Sequence, residues 1–159
     1  MRPLLSGLLW FSALGTGLMA GVYFAFSAVI MGSLSRLNPA LAVAAMNTIN
    51  TDILRSAFMP VFLGTTLSSA ALAVAGVLRM SEPGALAMLA AGAVYVAGMF
   101  LVTMIFNVPL NDALASRGDG DPSTAWRGYA GAWAGWNHVR TLSSLVASGL
   151  FVWALSARR

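Results

Sequence analysis

This chain has no cysteine, no lysine, a single histidine and little charge of either sign. Without cysteine there is no disulfide, no iron–sulfur centre and no thiolate metal site. One histidine, with no carboxylate pair in the apolar parts of the chain, makes a poor metal centre. No phosphate-cradling glycine loop, nucleophile elbow or dinucleotide fingerprint occurs. Every basic residue is arginine, and apart from the adjacent Arg158 and Arg159 the arginines stand singly along the chain. The net charge of +4 therefore reads as anchoring at a membrane surface. A nucleic-acid partner is not expected, because such binders cluster basic residues on one surface.

What the chain does have is long runs without any charge. None occurs from Pro3 to Ser35, from Ser56 to Leu78, from Pro83 to Asn111, or from Thr141 to Ala157. A helix needs about 20 apolar residues to cross a bilayer core about 30 Å thick. Three runs meet that length and the last falls just short. Backbone polar groups in lipid must pair within their own segment, so the runs are helices. A barrel would need alternating apolar and polar residues. The expected fold is all-α, a four-helix transmembrane bundle, with residues 1–159 forming a single membrane domain. With 58 % hydrophobic residues and a mean hydropathy of +0.79, little is left for a soluble part.

The spans are expected near 4–32, 57–78, 84–107 and 126–156. Asn38-Pro39 is a helix start, with Asn as cap and Pro in the first turn, so a short extra helix near 39–51 is expected between the first two spans. In the first span Gly17, Gly21, Ala25 and Ala28 recur at helical spacing and predict a close helix–helix contact; Gly64, Ser68, Ala71 and Ala75 do the same in the second. Pro109 lacks an N–H and clashes one turn back, so the third helix is expected to kink or stop there. The polar run Arg117 to Asp121 is an aqueous loop, and Asp121-Pro122 restarts a helix. The run after Arg140 is too short to cross alone, so the fourth helix begins earlier and draws Arg140 to or inside the interface.

The apolar stretch behind Arg2 continues past Gly21 to Leu34, longer than a cleavable leader's core of about 7–15 residues. It reads as a retained first helix. Four crossings put both termini on one side. The arginine count is nearly even between the two sides, and the terminal arginines tip the termini toward the cytoplasm. The expected location is a membrane, as a multi-pass protein of a bacterial inner membrane.

Polar side chains within membrane segments are costly and tend to have functions. Asn107 and Asn111 share a helix face if the helix persists through Pro109. Trp133, Trp136, Asn137, Arg140 and Thr141 fall on one stripe of the fourth helix, with His138 turned about 100° from Asn137. Asn47, Asn50, Tyr23, Phe26 and Ser27 lie at the same end by topology. Each has a plainer reading. Trp126, Tyr129, Trp133 and Trp136 read equally as a headgroup belt, Asn107 and Asn111 as caps, Arg140 as a snorkelling cation, and His138 as an interfacial side chain. As a set they predict a pocket with flat apolar walls and converging donors, suited to a planar lipophilic ligand with phenol or carbonyl oxygens. A buried arginine needs partners, which the asparagine carbonyls or Asp112 supply.

The segments Gly21-Val-Tyr-Phe-Ala-Phe-Ser27, Ala45-Met-Asn-Thr-Ile-Asn50, Phe106-Asn-Val-Pro-Leu-Asn-Asp112 and Trp133-Ala-Gly-Trp-Asn-His-Val-Arg-Thr141 resemble the anthrone oxygenase-like family (DUF1772) in order and spacing across essentially the whole chain. Asn-Val-Pro-Leu-Asn and Trp-Asn-x-x-Arg are its most specific marks. The resemblance implies a four-helix membrane protein. It also implies an oxygenase reaction, because the fungal members with an activity oxidise anthrones to anthraquinones with molecular oxygen.

That chemistry asks for a base, donors to an enolate oxygen and a dry cage. His138 is the natural base, since an imidazole titrates near neutrality. Arg140, Asn107, Asn111 and Asn137 are the candidate donors to the enolate or to a superoxide partner. Trp133, Trp136, Tyr23, Phe26, Asn47 and Asn50 are the candidate substrate-binding residues. The carbanion supplies the electrons, so no cofactor is expected. The expected partners are a lipophilic aromatic small molecule and the lipid bilayer, with a homo-oligomer left open. Two other functions fit the same residues: a non-catalytic membrane binder or carrier of a lipophilic small molecule, and a structural membrane protein whose polar residues lock helices together.

Overall fold

In a computed structural model, which describes residues 2–117 and 120–158, the described residues form helices joined by short turns, and four helices have the length and apolarity to cross a membrane. Helix α1 spans Pro3–Leu34, α3 Phe58–Leu78, α4 Ala85–Ala115 and α5 Pro122–Ser156. The short α2, Pro39–Asp52, lies between α1 and α3 and is capped by the Asn38 side chain, which accepts from the Ala40 N–H at 2.9 Å. Helices α1, α3, α4 and α5 form a ring in that order, closed by α5 against α1. Outward side chains are apolar, among them Leu14, Leu18, Leu67, Val74, Leu142 and Leu145, as a surface facing lipid requires. The protein is a multi-pass helical membrane bundle.

Helix α4 runs past the expected end to Ala115. The sequence predicted a kink or stop at Pro109. Instead the helix is widened to π geometry over Val96–Leu101 and Thr103–Asn107, and Pro109 sits just beyond. The widened turns give the proline ring room where a regular helix would clash. A third wide segment, Phe26–Ile30, lies in α1. Helix α5 starts at Pro122, where Asp121-Pro122 marks a restart, and runs unbroken into the span expected from 126. Asp121 caps it, accepting from the backbone N–H groups of Ser123 and Thr124 at 3.1 Å and from the Thr124 hydroxyl at 2.6 Å. These bonds, that of the Thr124 hydroxyl first, hold the Asp121 carboxyl below its ordinary range. Of the expected loop, Gly118 and Asp119 lie outside the described residues.

The small-residue stripe in α1 requires correction. Gly21, Ala25 and Ala28 are exposed, and a side chain at Gly21 would meet nothing. Gly17 alone approaches α5, at the Ser148 hydroxyl. The inward face of α1 carries Ser12, Thr16, Met19 and Tyr23 instead, and the Ser12 hydroxyl donates to Ser68 of α3 at 2.8 Å. On α3 Ser68 of the expected face is buried beside Thr65, Ser69, Leu72 and Gly76, Gly64 and Ala75 are half-buried, and Ala71 is exposed. Helices α3 and α4 approach backbone to backbone at two glycines. A Cβ at Gly92 would strike the Ser69 carbonyl and Ala73, and one at Gly76 would sit 2.7 Å from the Ala85 carbonyl.

Two apolar cores result. One fills the bundle around Leu9, Met19, Leu72, Met88, Tyr95 and Phe151. The other lies beneath α2, around Met31, Met46, Leu114, Trp126, Tyr129 and Trp133. Trp126 and Tyr129 are buried here, and the Trp126 indole N–H donates to Ser35 at 3.2 Å, so neither forms part of a headgroup belt.

Candidate functional site

Between the two cores lies a cavity of about 380 Å³, floored by Phe58, Met59 and Phe62 of α3 and roofed by Met46, Asn47 and Asn50 of α2. Tyr23 and Phe26 of α1, Thr103, Asn111 and Asp112 of α4, and Trp133 and Arg140 of α5 form its sides. All four membrane helices and the short helix therefore contribute to one wall or another. The wide segments of α1 and α4 both border it, supplying Phe26 and Thr103. Widened turns of this kind recur at functional sites because they re-aim side chains that a regular helix would turn elsewhere.

Arg140 is the chemical centre of the cavity. It sits about midway along α5 and is only 5 % exposed. Its Nη2 donates to the Asn137 Oδ1 at 2.7 Å and its Nη1 to the Thr103 hydroxyl at 3.4 Å. The guanidinium carbon lies 4.4 Å from the centre of the Tyr23 ring and 5.0 Å from that of Trp133. These two faces offer the cation the negative side of an aromatic quadrupole. Among the described residues the only ion pairs are those of Glu82 with Arg79 and Arg158, at the turn between α3 and α4. Asp112 lines the same cavity but is not within ion-pairing reach of Arg140. The guanidinium is thus held by neutral groups alone.

Asn137 is the clamp behind it. This fully buried side chain donates from Nδ2 to the Tyr23 carbonyl at 2.7 Å and to the Ser27 hydroxyl, while its Oδ1 receives Arg140. One carboxamide so fixes α1, α5 and the cation together. Asn107, also buried, donates to the Trp133 carbonyl at 3.3 Å and stands behind the cavity wall. Asn111 faces the cavity and accepts the Tyr129 hydroxyl at 2.8 Å. Asn47 and Asn50 face it from α2, each with one buried polar atom, Oδ1 and Nδ2 respectively, lacking a partner.

Of the residues singled out in the sequence, Tyr23, Phe26, Asn47, Asn50, Asn111, Trp133 and Arg140 line one cavity, with Asn107 and Asn137 directly behind it. His138 and Trp136 do not. His138 is exposed on the outer surface of α5, one helical step from Asn137, and does not line the cavity. Trp136 stacks flat on Phe106 at 3.7 Å, outside the cavity. Sequence reasoning passed over Thr103 as a holder of the arginine. The signal was present, since Thr103, Asn107 and Asn111 continue one i, i+4 row.

A sequence model of the anthrone oxygenase family matches residues 54–150, more than half of the chain. The chain belongs to the anthrone oxygenase family. No curated protein and no solved structure matches it. The segment shared with the anthrone oxygenases includes Thr103, Asn107, Asn111, Trp133, Asn137 and Arg140, the α4 and α5 side of the cavity. The α1 and α2 side, with Tyr23, Phe26, Asn47 and Asn50, lies outside the matched residues. In this anthrone oxygenase family member Asp112 and Arg140, the charged residues of the cavity, fall within the matched residues.

Proposed function

We propose that the protein is a cofactor-independent oxygenase that oxidises a lipophilic aromatic substrate, phenolic or polyketide-like, with molecular oxygen. The observation that carries this reading is a buried guanidinium without a carboxylate partner, set in an aromatic-walled cavity of a family member. Arg140 holds the oxygen of the substrate's enolate, a role in which a preorganised donor in a dry site is most effective. Asn137 and Thr103 fix the guanidinium. Tyr23, Phe26 and Trp133 sandwich the rings, and Asn47, Asn50 and Asn111 meet oxygens at the far edge. Asn107 holds the Trp133 backbone.

In the reaction the activated CH₂ between two rings loses a proton, and the electron pair delocalises onto the ring oxygen. The carbanion carbon transfers electrons to O₂, and carbon and oxygen join as a hydroperoxide once a proton is returned. Loss of water from the hydroperoxide leaves a carbonyl. One O₂ is consumed and one water is released for each CH₂ converted to C=O. With His138 on the outer surface, the carboxylate of Asp112, acting directly or through water, is the base available in the cavity.

The test is oxygen uptake by the purified protein in lipid nanodiscs with an anthrone and a panel of phenols. The expected result is one O₂ consumed per quinone formed, well above the rate in empty nanodiscs. Saturable binding of the same compounds without uptake would identify a binder or carrier instead. Neither binding nor uptake would leave a structural role.

A further inference from the structure

We infer that the cavity loads sideways from the bilayer interface, through an opening between the end of α2 and the outer stretch of α4. This rests on the reading of the cavity as a site for a lipophilic aromatic molecule and adds the route by which that molecule arrives.

The opening follows from unequal helix lengths. Helix α3 has 21 residues, against 32 in α1, 31 in α4 and 35 in α5. At 1.5 Å per residue α3 is about 31 Å long, the thickness of a bilayer core, while the others run to about 46–53 Å. Contacts fix where α3 begins along its neighbours. The Phe58 ring lies 6.5 Å from that of Tyr23, the Arg140 guanidinium lies over Tyr23, and Arg140 reaches Thr103. Tyr23, Thr103 and Arg140 therefore mark the level of the α3 start. Beyond it α1, α4 and α5 continue and the ring is one member short. Helix α2 roofs the gap, held at Met46 in the core with Leu114, Trp126 and Trp133.

The roof leaves the α4 side open. A residue that lines a cavity and is also exposed outside marks where that cavity opens. Met104, Val108, Asp112 and Ala115 follow at helical spacing on one face of α4 and line the cavity, and all but Val108 are exposed. Thr51 at the end of α2 and Leu54 in the turn after it also line the cavity and are exposed. Every lining residue from α1, α3 and α5 is buried or half-buried. The mouth thus lies between the Thr51–Leu54 stretch and α4.

Its rim is graded. Leu54 and Met104, 63 % and 42 % exposed, are apolar. Asp112 stands two turns farther out on α4, about 12 Å beyond Met104 along the axis. The exposed Asp52 and Arg55 flank Leu54, and the charge-free run of α3 begins at Ser56, so this rim sits at the edge of the hydrocarbon. A flat molecule with an apolar body and a polar edge rests at that depth, rings among the acyl chains and oxygens outward. It can pass the rim without crossing water, its oxygens on the Asp112 side. The competing entrance is aqueous. A smaller hollow lined by Ala44, Leu114 and Arg117 shares Asn47 and Ala115 with the cavity.

The chain has no cysteine, so single introduced cysteines can be labelled selectively. Leu54→Cys, Met104→Cys, Ala44→Cys and, as a control on the outer face of α5, Leu142→Cys are each coupled to a bulky apolar maleimide. Binding of a monohydroxy-anthraquinone to the full-length protein in nanodiscs is followed by stopped-flow quenching of tryptophan fluorescence. Labels at Leu54 and Met104 should slow association and release together, about tenfold or more, with Kd unchanged, because a route alters rates and not end states. Labels at Ala44 and Leu142 should alter neither rate. Unchanged rates at both Leu54 and Met104, equal slowing from Leu142, or slowing confined to Ala44 would overturn the inference, the last by making the entrance aqueous. A raised Kd with an unchanged association rate would also overturn it, since the label then touches the bound molecule and not its path. A hydroxy-anthraquinone joined to a phospholipid acyl chain cannot leave the bilayer and should still bind; binding of the free probe alone would overturn lateral entry. The probe is already at the quinone level, so these rates are independent of turnover. Label-sensitive rates without oxygen uptake uphold the route and remove the oxygenase; uptake with label-insensitive rates does the reverse.

Discussion

Replacing Arg140 with methionine separates a working charge from a structural strut. Removing an ion from water costs several kcal/mol even after the surroundings relax. Against this stand a short bond to Asn137, a long one of 3.4 Å to Thr103, and the faces of Tyr23 and Trp133. A hydrogen bond to a charged group contributes about 1.5–3 kcal/mol, and a desolvated cation over an aromatic face about 2 kcal/mol. The attractive and repulsive terms are therefore of the same size, and without an anion the cation does little for the fold. Methionine has a similar length and no charge. It strands the Asn137 Oδ1, at about 1–3 kcal/mol, while the Thr103 hydroxyl keeps its bond to the Met99 carbonyl at 2.7 Å. Relief of the desolvation cost offsets that loss.

The unfolding temperature of Arg140→Met should accordingly stay within roughly 5 °C of wild type, at about 2–4 °C per kcal/mol for a chain of this size. Turnover should fall about 10²-fold or more, the scale for losing one preorganised oxyanion donor. Thermal unfolding followed by tryptophan fluorescence and oxygen uptake, both in nanodiscs, read the two quantities separately. A variant that unfolds early, with turnover lost only in proportion to the folded fraction, would refute the reasoning and make Arg140 a strut. So would a stable variant with wild-type turnover.

Asn137→Ala should lower both quantities, because it removes the α1–α5 clamp and leaves Arg140 with one acceptor fewer; a loss of about 1–3 kcal/mol in chemical denaturation is expected, and an unchanged midpoint would count against the clamp. Gly92→Leu should destabilise by about 1–3 kcal/mol or more through overpacking on Ser69 and Ala73, whereas Gly21→Leu should stay within about 0.5 kcal/mol of wild type, as an outward substitution does; equal melting temperatures for the two would remove the α3–α4 contact as the tight interface. The Asp121 cap depends on pH with a definite sign. Its carboxyl is depressed in the folded chain, so its contribution is complete above the unfolded carboxylate value and is lost as pH falls through the lower folded one. The amide signals of Ser123 and Thr124 should therefore move only below about pH 3.9; a midpoint above that value would contradict the hydrogen-bonded cap.

The fold was legible because lipid imposes a strict rule on charge. Charge-free runs, Pro-marked starts at Pro39 and Pro122, and the short run after Arg140 placed four spans and α2 to within a turn at most ends. The run of α4 through Pro109 was not legible, since a proline that stops a helix and one accommodated by widened turns look the same in one sequence. The outward-facing Gly21, Ala25 and Ala28 departed from expectation for a related reason. Small residues at helical spacing mark a face, but they do not say whether a helix or lipid covers it. The hydroxyls do say, because Ser12 and Thr16 need partners in an apolar medium, and they lie on the face that is buried.

The site shows the same division between pattern and space. Asn137 and His138 are adjacent in a family motif, yet one helical step puts the first at the centre of the bundle and the second on its surface. His138 is named as a base for its imidazole chemistry, and its outward position on α5 keeps it out of the cavity lining, while i, i+4 spacing gathers Asn107 and Asn111 at one end of α4 and, with Asn137 and Arg140 three apart on α5, around one cavity. The property that matters most for chemistry was out of reach of any spacing. Asp112 lies in the right segment to neutralise Arg140, and nothing in the sequence distinguishes a lining carboxylate from an ion-paired one. Only the three-dimensional arrangement leaves the guanidinium held by an amide, a hydroxyl and two aromatic faces. Neutral partners can fix the position of a buried cation without quenching it. A salt bridge would have done both, and would have left no charge for a ligand to meet.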